Sequence, residues 1–264
     1  MDLQLKDKTA LVTGSSAGIG FAIAKALLQE GATVYINGRS RSSVDKAIKK
    51  LQVNVPGANV KGIPADFSKA DDVYNLIKEL PHVDILINNI GIFEPKPFTE
   101  ISDKEWFLFY EVNVLSGVRL ARAYFNKMLE KNWGRIIFIS SESALQIPEE
   151  MIHYGMTKTA QLAVSRGLAE LTKGTNVTVN TILPGPTKSE GSAEFIERLA
   201  TQRNISTAEA EADFFRTGRP TSILQRFTSV DEIAHTVVYF SSPLSSATNG
   251  AAIRADGGVV KTMV

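Results

Sequence analysis

The stretch Thr13-Gly14-Ser15-Ser16-Ala17-Gly18-Ile19-Gly20 joins a short apolar run, Thr9–Thr13, to a segment where Ile19, Ile23, Ala26 and Leu27 recur at helical spacing, with Glu30 closing the pattern. Glycines at such a turn let the backbone bend sharply and approach a diphosphate without Cβ collisions. The helix that follows offers unpaired N–H groups and the positive end of its dipole, and Gly31 is placed to end it. The pattern is T-G-x-x-x-G-x-G; it is not G-x-G-x-x-G, because position 23 is Ile, and no Lys-Ser/Thr follows as in a P-loop. Outward from this turn the alternation repeats. Thr33–Asn37, Asn59–Ile63, Asp84–Asn88, Arg135–Ser140, Val177–Ile182 and Ala251–Ala255 are rich in Val, Ile and Leu and are predicted as strands buried on both faces. Ser42–Leu51, Lys69–Leu80, Asp103–Lys131, Tyr154–Lys173 and Val230–Phe240 are predicted as helices. Strands alternating with helices imply right-handed crossovers, hence an α/β fold with a doubly wound parallel sheet of about seven strands and helices on both faces. No linker or composition break divides residues 1–264, so one domain is expected.

Composition narrows the functions available. The 264 residues are 44% hydrophobic, enough for a full core, and 29 basic against 28 acidic side chains leave a net charge of +1. Near-neutrality argues against a nucleic-acid partner, and the basic cluster Lys46, Lys49 and Lys50 falls at helical spacing as a solvated face. With no cysteine, disulfides, thiolate nucleophiles and thiolate-ligated metals are excluded. His82, His153 and His235 lie far apart and form no metal-binding pattern. No apolar run approaches the roughly 20 residues that span a bilayer, and Met1–Lys8 does not resemble a signal peptide. A cytoplasmic protein with no membrane partner and no bound metal is expected.

The second strand ends in Ile36-Asn37-Gly38-Arg39. A dinucleotide site that selects NAD usually carries an acidic residue there to hold the ribose hydroxyls. Gly38 leaves that place empty, and the Arg39 guanidinium suits a 2′-phosphate, so NADP(H) is favoured over NAD(H).

Tyr154 and Lys158 stand one helical turn apart on a common face, Ser141 closes the preceding strand, and Asn113 lies within the long fourth helix. Reducing a carbonyl needs a hydride donor and a proton donor on the oxygen. A free tyrosine, with a pKa near 10, is ionised in only about one molecule in a thousand at neutral pH. A neighbouring ammonium favours phenolate. The expectation is that Lys158 acidifies Tyr154, which gives a proton in reduction or takes one in oxidation, while the Ser141 hydroxyl bonds the substrate oxygen as charge develops.

In company these residues resemble the short-chain dehydrogenase/reductase family, from Lys8 to Gly258. They are Thr13-Gly14-x-x-x-Gly18-x-Gly20, Asp66, Asn88-Asn89-Ile90-Gly91, Asn113, Ser141, Tyr154-x-x-x-Lys158 and Pro184-Gly185-Pro186-Thr187. The resemblance implies a Rossmann-like fold and an NADP(H)-dependent oxidoreductase interconverting a carbonyl and a secondary alcohol, with Asn113, Ser141, Tyr154 and Lys158 catalytic. It implies cofactor binding by Gly14, Ser15, Ser16, Gly18, Ile19, Gly20, Arg39, Asp66, Asn89, Gly91, Tyr154, Lys158, Pro184, Gly185 and Thr187. In that scheme Asp66 bonds the adenine amino group, Asn89 borders the ribose, Lys158 also reaches a cofactor ribose, the Pro184–Thr187 loop holds the carboxamide, and Asn113 anchors a water leading to Lys158. Ile90 departs from the family's usual alanine and bears on cofactor geometry. The resemblance also implies a homotetramer (or homodimer) built through Asp103–Lys131, Tyr154–Lys173 and the last strand.

Two other readings remain: an NAD-linked dehydrogenase, and a non-catalytic nucleotide-binding sensor or scaffold of the same fold. Phe93, Glu94, Ser143, Gln146, Ile147 and Met151 are expected to line the substrate pocket, together with parts of 188–225. That segment, helical and polar with scattered Phe and Leu, reads equally as a substrate-binding lid and as an ordinary helical excursion.

Overall fold

Apolar residues alternate along the central strands so that each strand feeds two cores. Ala10, Val12, Ile85, Ile87, Ile137 and Ile139 face one side, and Leu11, Leu86, Ile136 and Phe138 face the other. A computed structural model describes residues 2–263; Met1 and Val264, the ends of the expected 1–264 domain, lie outside the described residues. In chain order the elements are β1 (Thr9–Val12), α1 (Gly18–Gln29), β2 (Thr33–Gly38), α2 (Arg41–Asn54), β3 (Val60–Pro64), α3 (Ala70–Glu79), β4 (Ile85–Asn88), α4 (Asp103–Tyr110), α5 (Ser116–Glu130), β5 (Gly134–Ile139) and α6 (Ile152–Glu170). There follow β6 (Val177–Pro184), β7 (Thr187–Lys188), α7 (Glu190–Arg203), α8 (Thr207–Asp213), β8 (Thr228–Ser229), α9 (Val230–Ser241) and β9 (Ala252–Ala255). The main sheet is wholly parallel in the order β3-β2-β1-β4-β5-β6-β9. All seven sheet strands coincide with the runs read from the sequence. Strands β4, β5 and β6 are buried along their whole length, whereas the edge strand β9 alternates exposed and half-buried residues.

Helices α1, α2 and α9 cover one face through Ile23, Leu27, Val44, Leu51, Ile233 and Val237. Helices α3, α5 and α6 cover the other through Val73, Leu76, Leu120, Tyr124 and Ala169. The order reverses between β1 and β4, and open sheets of this kind bind ligands outside the carboxyl ends at that point. Gly31 has a φ of +83° and ends α1 as expected.

The one continuous helix expected over Asp103–Lys131 is a correction. Residues Glu111–Leu115 form a π-helical turn between α4 and α5. Periodicity could not reveal it, because no residue there breaks the helical pattern; within the turn, the Asn113 side chain reaches Ile92 and Thr157. π-turns of this kind recur at functional sites.

The 188–225 segment is an ordered helical layer with its own core of Ile196, Ala200, Ala210, Phe215 and Phe227. Phe214 stacks on Phe227 with ring centres 5.4 Å apart. The short parallel pair β7–β8 clamps the two ends of this excursion together. Phe215→Ala, by emptying the centre of this core, is expected to cost about 3 kcal/mol locally. Limited proteolysis should then cut between residues 190 and 218 before the main sheet unfolds; unchanged resistance would contradict a separately packed layer.

Candidate active site

The glycine turn is held by side chains from three strand ends. Thr13 Oγ1 donates to the Ile87 carbonyl (3.2 Å) and accepts from the Asn89 amide (2.9 Å). Asn89 Nδ2 donates back to the carbonyls of Thr13 (3.0 Å) and Gly14 (3.1 Å). Asn37, fully buried at the end of β2, accepts from the Gly14 amide (3.2 Å) and donates to the Ile63 carbonyl (3.0 Å). Ser15 is also fully buried, its hydroxyl donating to the Val12 carbonyl (2.6 Å) and accepting from the Asn37 amide (2.9 Å). Of the expected cofactor residues, Ser15 therefore braces the turn. Asn37 is a brace the sequence reading missed; its one signal was a polar residue in an apolar strand.

Gly14 and Gly18 take φ values of +58° and +57°, the left-handed region that L side chains disfavour. Helix α1 opens on Ala17, which offers no side-chain cap, whereas α2, α4, α7, α8 and α9 each open on a serine capping box. Helices α3 and α6 also open without a side-chain cap, but it is α1 that begins at the glycine turn, where free first-turn amides suit an anionic ligand.

Two cavities meet at Gly91. One, of about 410 Å³, is lined by Gly14, Ser16, Gly38, Arg39, Asp66, Ile90 and others. The other, of about 180 Å³, brings together Ile19, Asn89, Ser141, Tyr154, Lys158, Pro184, Gly185 and Thr187. Gly18 and Gly20 shape the turn without lining either cavity. Asp66 Oδ1 accepts from the backbone (3.0 Å) and hydroxyl (2.8 Å) of Ser68, which hold its carboxyl below the usual carboxylate range. Ile90 Cδ1 would lie 3.1 Å from a Cβ at Gly14, so the departure from alanine is filled by packing against the glycine turn. Gly185 donates to the Ala255 carbonyl (3.2 Å), and Thr187 Oγ1 donates to the Gly185 carbonyl (2.9 Å), fixing the loop after β6.

Helix α6 presents Tyr154 and Lys158 to the tip of β5. The Lys158 side chain is buried, and Nζ donates to the Ile139 carbonyl (2.9 Å) while lying 5.6 Å from the centre of the Tyr154 ring. Burial lowers the lysine to a pKa of about 8, against the opposing pull of Glu142. Tyr154 keeps partial exposure to the cleft, but the protein packed around its hydroxyl raises the phenol above 10, and the Glu142 charge adds to the rise. Ser141 and Arg219 pull it down. The expected acidification of the phenol by the lysine meets an opposing effect here: burial raises Tyr154, and the ammonium spends a hydrogen bond on the Ile139 carbonyl.

Asn113 fastens the neighbouring segments. Its Oδ1 accepts from the Ile92 amide (2.8 Å), and its Nδ2 donates to the Ile92 carbonyl (3.0 Å) and to Thr157 Oγ1 (3.0 Å). Gln161 Nε2 donates to its carbonyl (2.5 Å). A Cβ at Gly91 would lie 3.2 Å from Lys158 Nζ and 3.8 Å from Asn113 Oδ1, so both side chains border the same glycine. Ser141 Oγ donates to Glu142 Oε2 (2.5 Å) and accepts from the Ser143 amide (3.1 Å). Of the expected pocket residues, Phe93 lines the smaller cleft, edge-on to Tyr154. Gln146 and Ile147 line a separate cavity of about 350 Å³ with Glu142 and Arg219. Glu94, Ser143 and Met151 line none of these three. Among the described residues, no helix is long and apolar enough to cross a membrane.

A glycine turn at the switch point of a parallel sheet, facing a Tyr-Lys pair and a serine, is the arrangement of a nucleotide-binding oxidoreductase. Residues 8–200 match the short chain dehydrogenase family, and the chain belongs to that family. It is 51% identical over 263 residues to the uncharacterized oxidoreductase YvaG of Bacillus subtilis (strain 168), covering all of both chains. The L-sorbose reductase of Gluconobacter frateurii, solved with NADPH and L-sorbose, superposes with a TM-score of 0.92 at 28% identity over the whole of both chains. An actinorhodin polyketide ketoreductase variant solved with NADPH gives 0.87 at 26% identity, covering 97% of this chain and 98% of that one.

A lysine lowered from 10.5 to about 8 weakens the fold wherever it is charged in both states, below pH 8, and ceases to do so above its unfolded value. Lys158→Met is therefore expected to raise the melting temperature at pH 7 by about 5 °C, a gain that fades toward pH 10.5. Equal melting curves at pH 7 would show that the ammonium is not desolvated.

Proposed function

We propose that the protein is an NADP(H)-dependent oxidoreductase interconverting a carbonyl and a secondary alcohol, with Tyr154 as the acid/base. The observation that carries this reading is the convergence of Ser141, Tyr154 and Lys158 in one cleft with Asn89 and the Pro184–Thr187 loop, continuous at Gly91 with the cavity over the glycine turn. The donor set suits a dinucleotide: uncapped α1 amides for the diphosphate, Asp66 and Asn89 along the cleft, and Arg39 exposed on its rim. A Cβ at Gly38 would lie 2.9 Å from Ser43 Oγ and 3.1 Å from Ser16 Cβ, so two serine side chains crowd the place where an NAD site usually carries a carboxylate. That supports NADP(H), as do the NADPH complexes of the two similar structures.

Bound in this cleft, a nicotinamide would supply or take the hydride. Ser141 orients the carbonyl oxygen, Tyr154 gives that oxygen its proton, and Lys158 holds positive charge beneath the phenol to stabilise the phenolate left behind. Phe93 stands edge-on to Tyr154 at the edge of the cleft. A phenol held above 10 stays protonated through the neutral range, so reduction is favoured there and oxidation rises as the pH climbs. We read the protein as cytoplasmic and as a homotetramer through α4, α5, α6 and β9. Phe107, 75% exposed on α4 beside Leu108 and Tyr110, supports that assembly.

The test is NADPH oxidation over a panel of hydroxylated ketones, β-ketoesters and aldehydes. Tyr154→Phe is expected to lower kcat by about 10³-fold while NADPH still binds, as followed by its fluorescence. Full activity in that variant would overturn the mechanism. Arg39→Ala is expected to weaken NADPH about tenfold or more and leave NADH unchanged; equal losses for both would favour the NAD-linked reading, and cofactor binding without turnover of any substrate would favour a sensor.

A further inference from the structure

Immediately after Ser141 stands a carboxylate that the reaction scheme above does not use. The Glu142 side chain is 7% exposed, and its two oxygens have separate partners. Oε2 accepts from Ser141 Oγ (2.5 Å), and Oε1 accepts from Arg219 Nε (3.2 Å). Arg219 is itself 11% exposed and enters from the far end of the helical layer that follows β6, just past the π-helical turn Phe214–Gly218. It also meets Glu150 at 3.4 Å, and its guanidinium lies over the Phe214 ring at 5.7 Å.

A hydroxyl has one proton to donate. In this arrangement the Ser141 proton is directed at Glu142, and one Oγ lone pair is taken by the Ser143 amide (3.1 Å). Serine cannot donate to Glu142 and to a substrate oxygen at once. How firmly the carboxylate holds that proton depends on what else neutralises it, and the group in place is Arg219.

Resting on the oxidoreductase reading above, we propose that Glu142 and Arg219 are a positioning pair: the carboxylate orients the Ser141 hydroxyl, and the arginine, carried by the outlying helical layer, cancels the carboxylate charge beside Tyr154 so that serine and phenol can serve the substrate oxygen. The layer after β6 thereby completes the electrostatics of the site when Arg219 is seated. The charged and titratable groups facing this pair are Tyr154 and Lys158 from α6, and Glu150 from the turn before it. His153 turns the other way, packing on Phe109 (4.0 Å) and Trp106 (5.9 Å), where it feels Glu105, Glu94 and Lys96. In agreement with the geometry, Glu142 raises the Tyr154 phenol and Arg219 lowers it.

The experiment is the pH profile of alcohol oxidation by NADP⁺, using whichever product the reduction panel yields, in three variants checked for folding by their melting temperatures. Arg219→Leu leaves a buried carboxylate unpaired; its rising limb is expected to move up by about one pH unit, with oxidation near pH 8 falling about tenfold. Glu142→Gln keeps the shape and a hydrogen-bonding group but removes the charge, and its limb should move down. Glu142→Gln/Arg219→Leu should return toward the wild-type profile, a rescue that a purely structural role for Arg219 would not give. If Arg219→Leu fails to fold, the downward shift in Glu142→Gln decides. Unshifted limbs, shifts of the same sign, or a double variant no better than Arg219→Leu would overturn the pair while leaving the oxidoreductase reading intact. A wild-type enzyme that turns over nothing on the panel overturns both.

Discussion

Helix α6 is fastened to the tip of β5 through a single residue. Lys158 donates from Nζ to the Ile139 carbonyl (2.9 Å), and its own carbonyl accepts from Ser140 Oγ (2.9 Å). Ser140 in turn donates its amide to the Ile182 carbonyl of β6 (2.8 Å). The next residue is Ser141, and one turn before Lys158 is Tyr154. The lysine thus fixes the distance between helix and strand and so places serine and phenol against one another. That fastening takes an ammonium out of water, which disfavours its charged form. A site built this way sacrifices some stability for position.

Desolvation governs the chemistry that follows. Water screens exposed charges, but around Tyr154 the neighbours Ser141, Glu142 and Arg219 act with little between them. Each pulls the phenol up or down according to its charge or hydrogen bond. In the proposed mechanism the lysine's contribution is less to acidify a free phenol than to keep a positive charge where the phenolate would form. The glycine turn is rigid for a related reason: Thr13, Ser15, Asn37 and Asn89 spend their hydrogen bonds on one another and on nearby backbone, leaving the α1 amides to face the cleft.

Most of the frame is legible in the sequence because it depends on local pattern. The runs from Thr9 to Ala255 read as strands because their apolar residues serve both cores, and Gly31 marks a helix end by its conformation. The cleft is legible as well, since a strand, a glycine turn and a helix in succession leave few geometries for the backbone. What escaped the sequence depends on distant partners. Nothing in Glu111–Leu115 breaks helical periodicity, yet Asn113 must meet Ile92 and Thr157 at the same time. Glu142 and Arg219 lie in different layers of the fold with no repeating pattern to link them. The direction of the Tyr154 shift depends on how much protein surrounds a hydroxyl, which a spacing of four residues does not encode.

The desolvated ammonium is the claim on which the rest turns, and it can be observed without knowing the substrate. In protein labelled with carbon-13 at the lysine Cε, the Lys158 resonance, assigned by its loss in Lys158→Met, can be followed by NMR against pH. A titration centred near 8 is expected. A midpoint at the ordinary lysine value of 10.5 would contradict it.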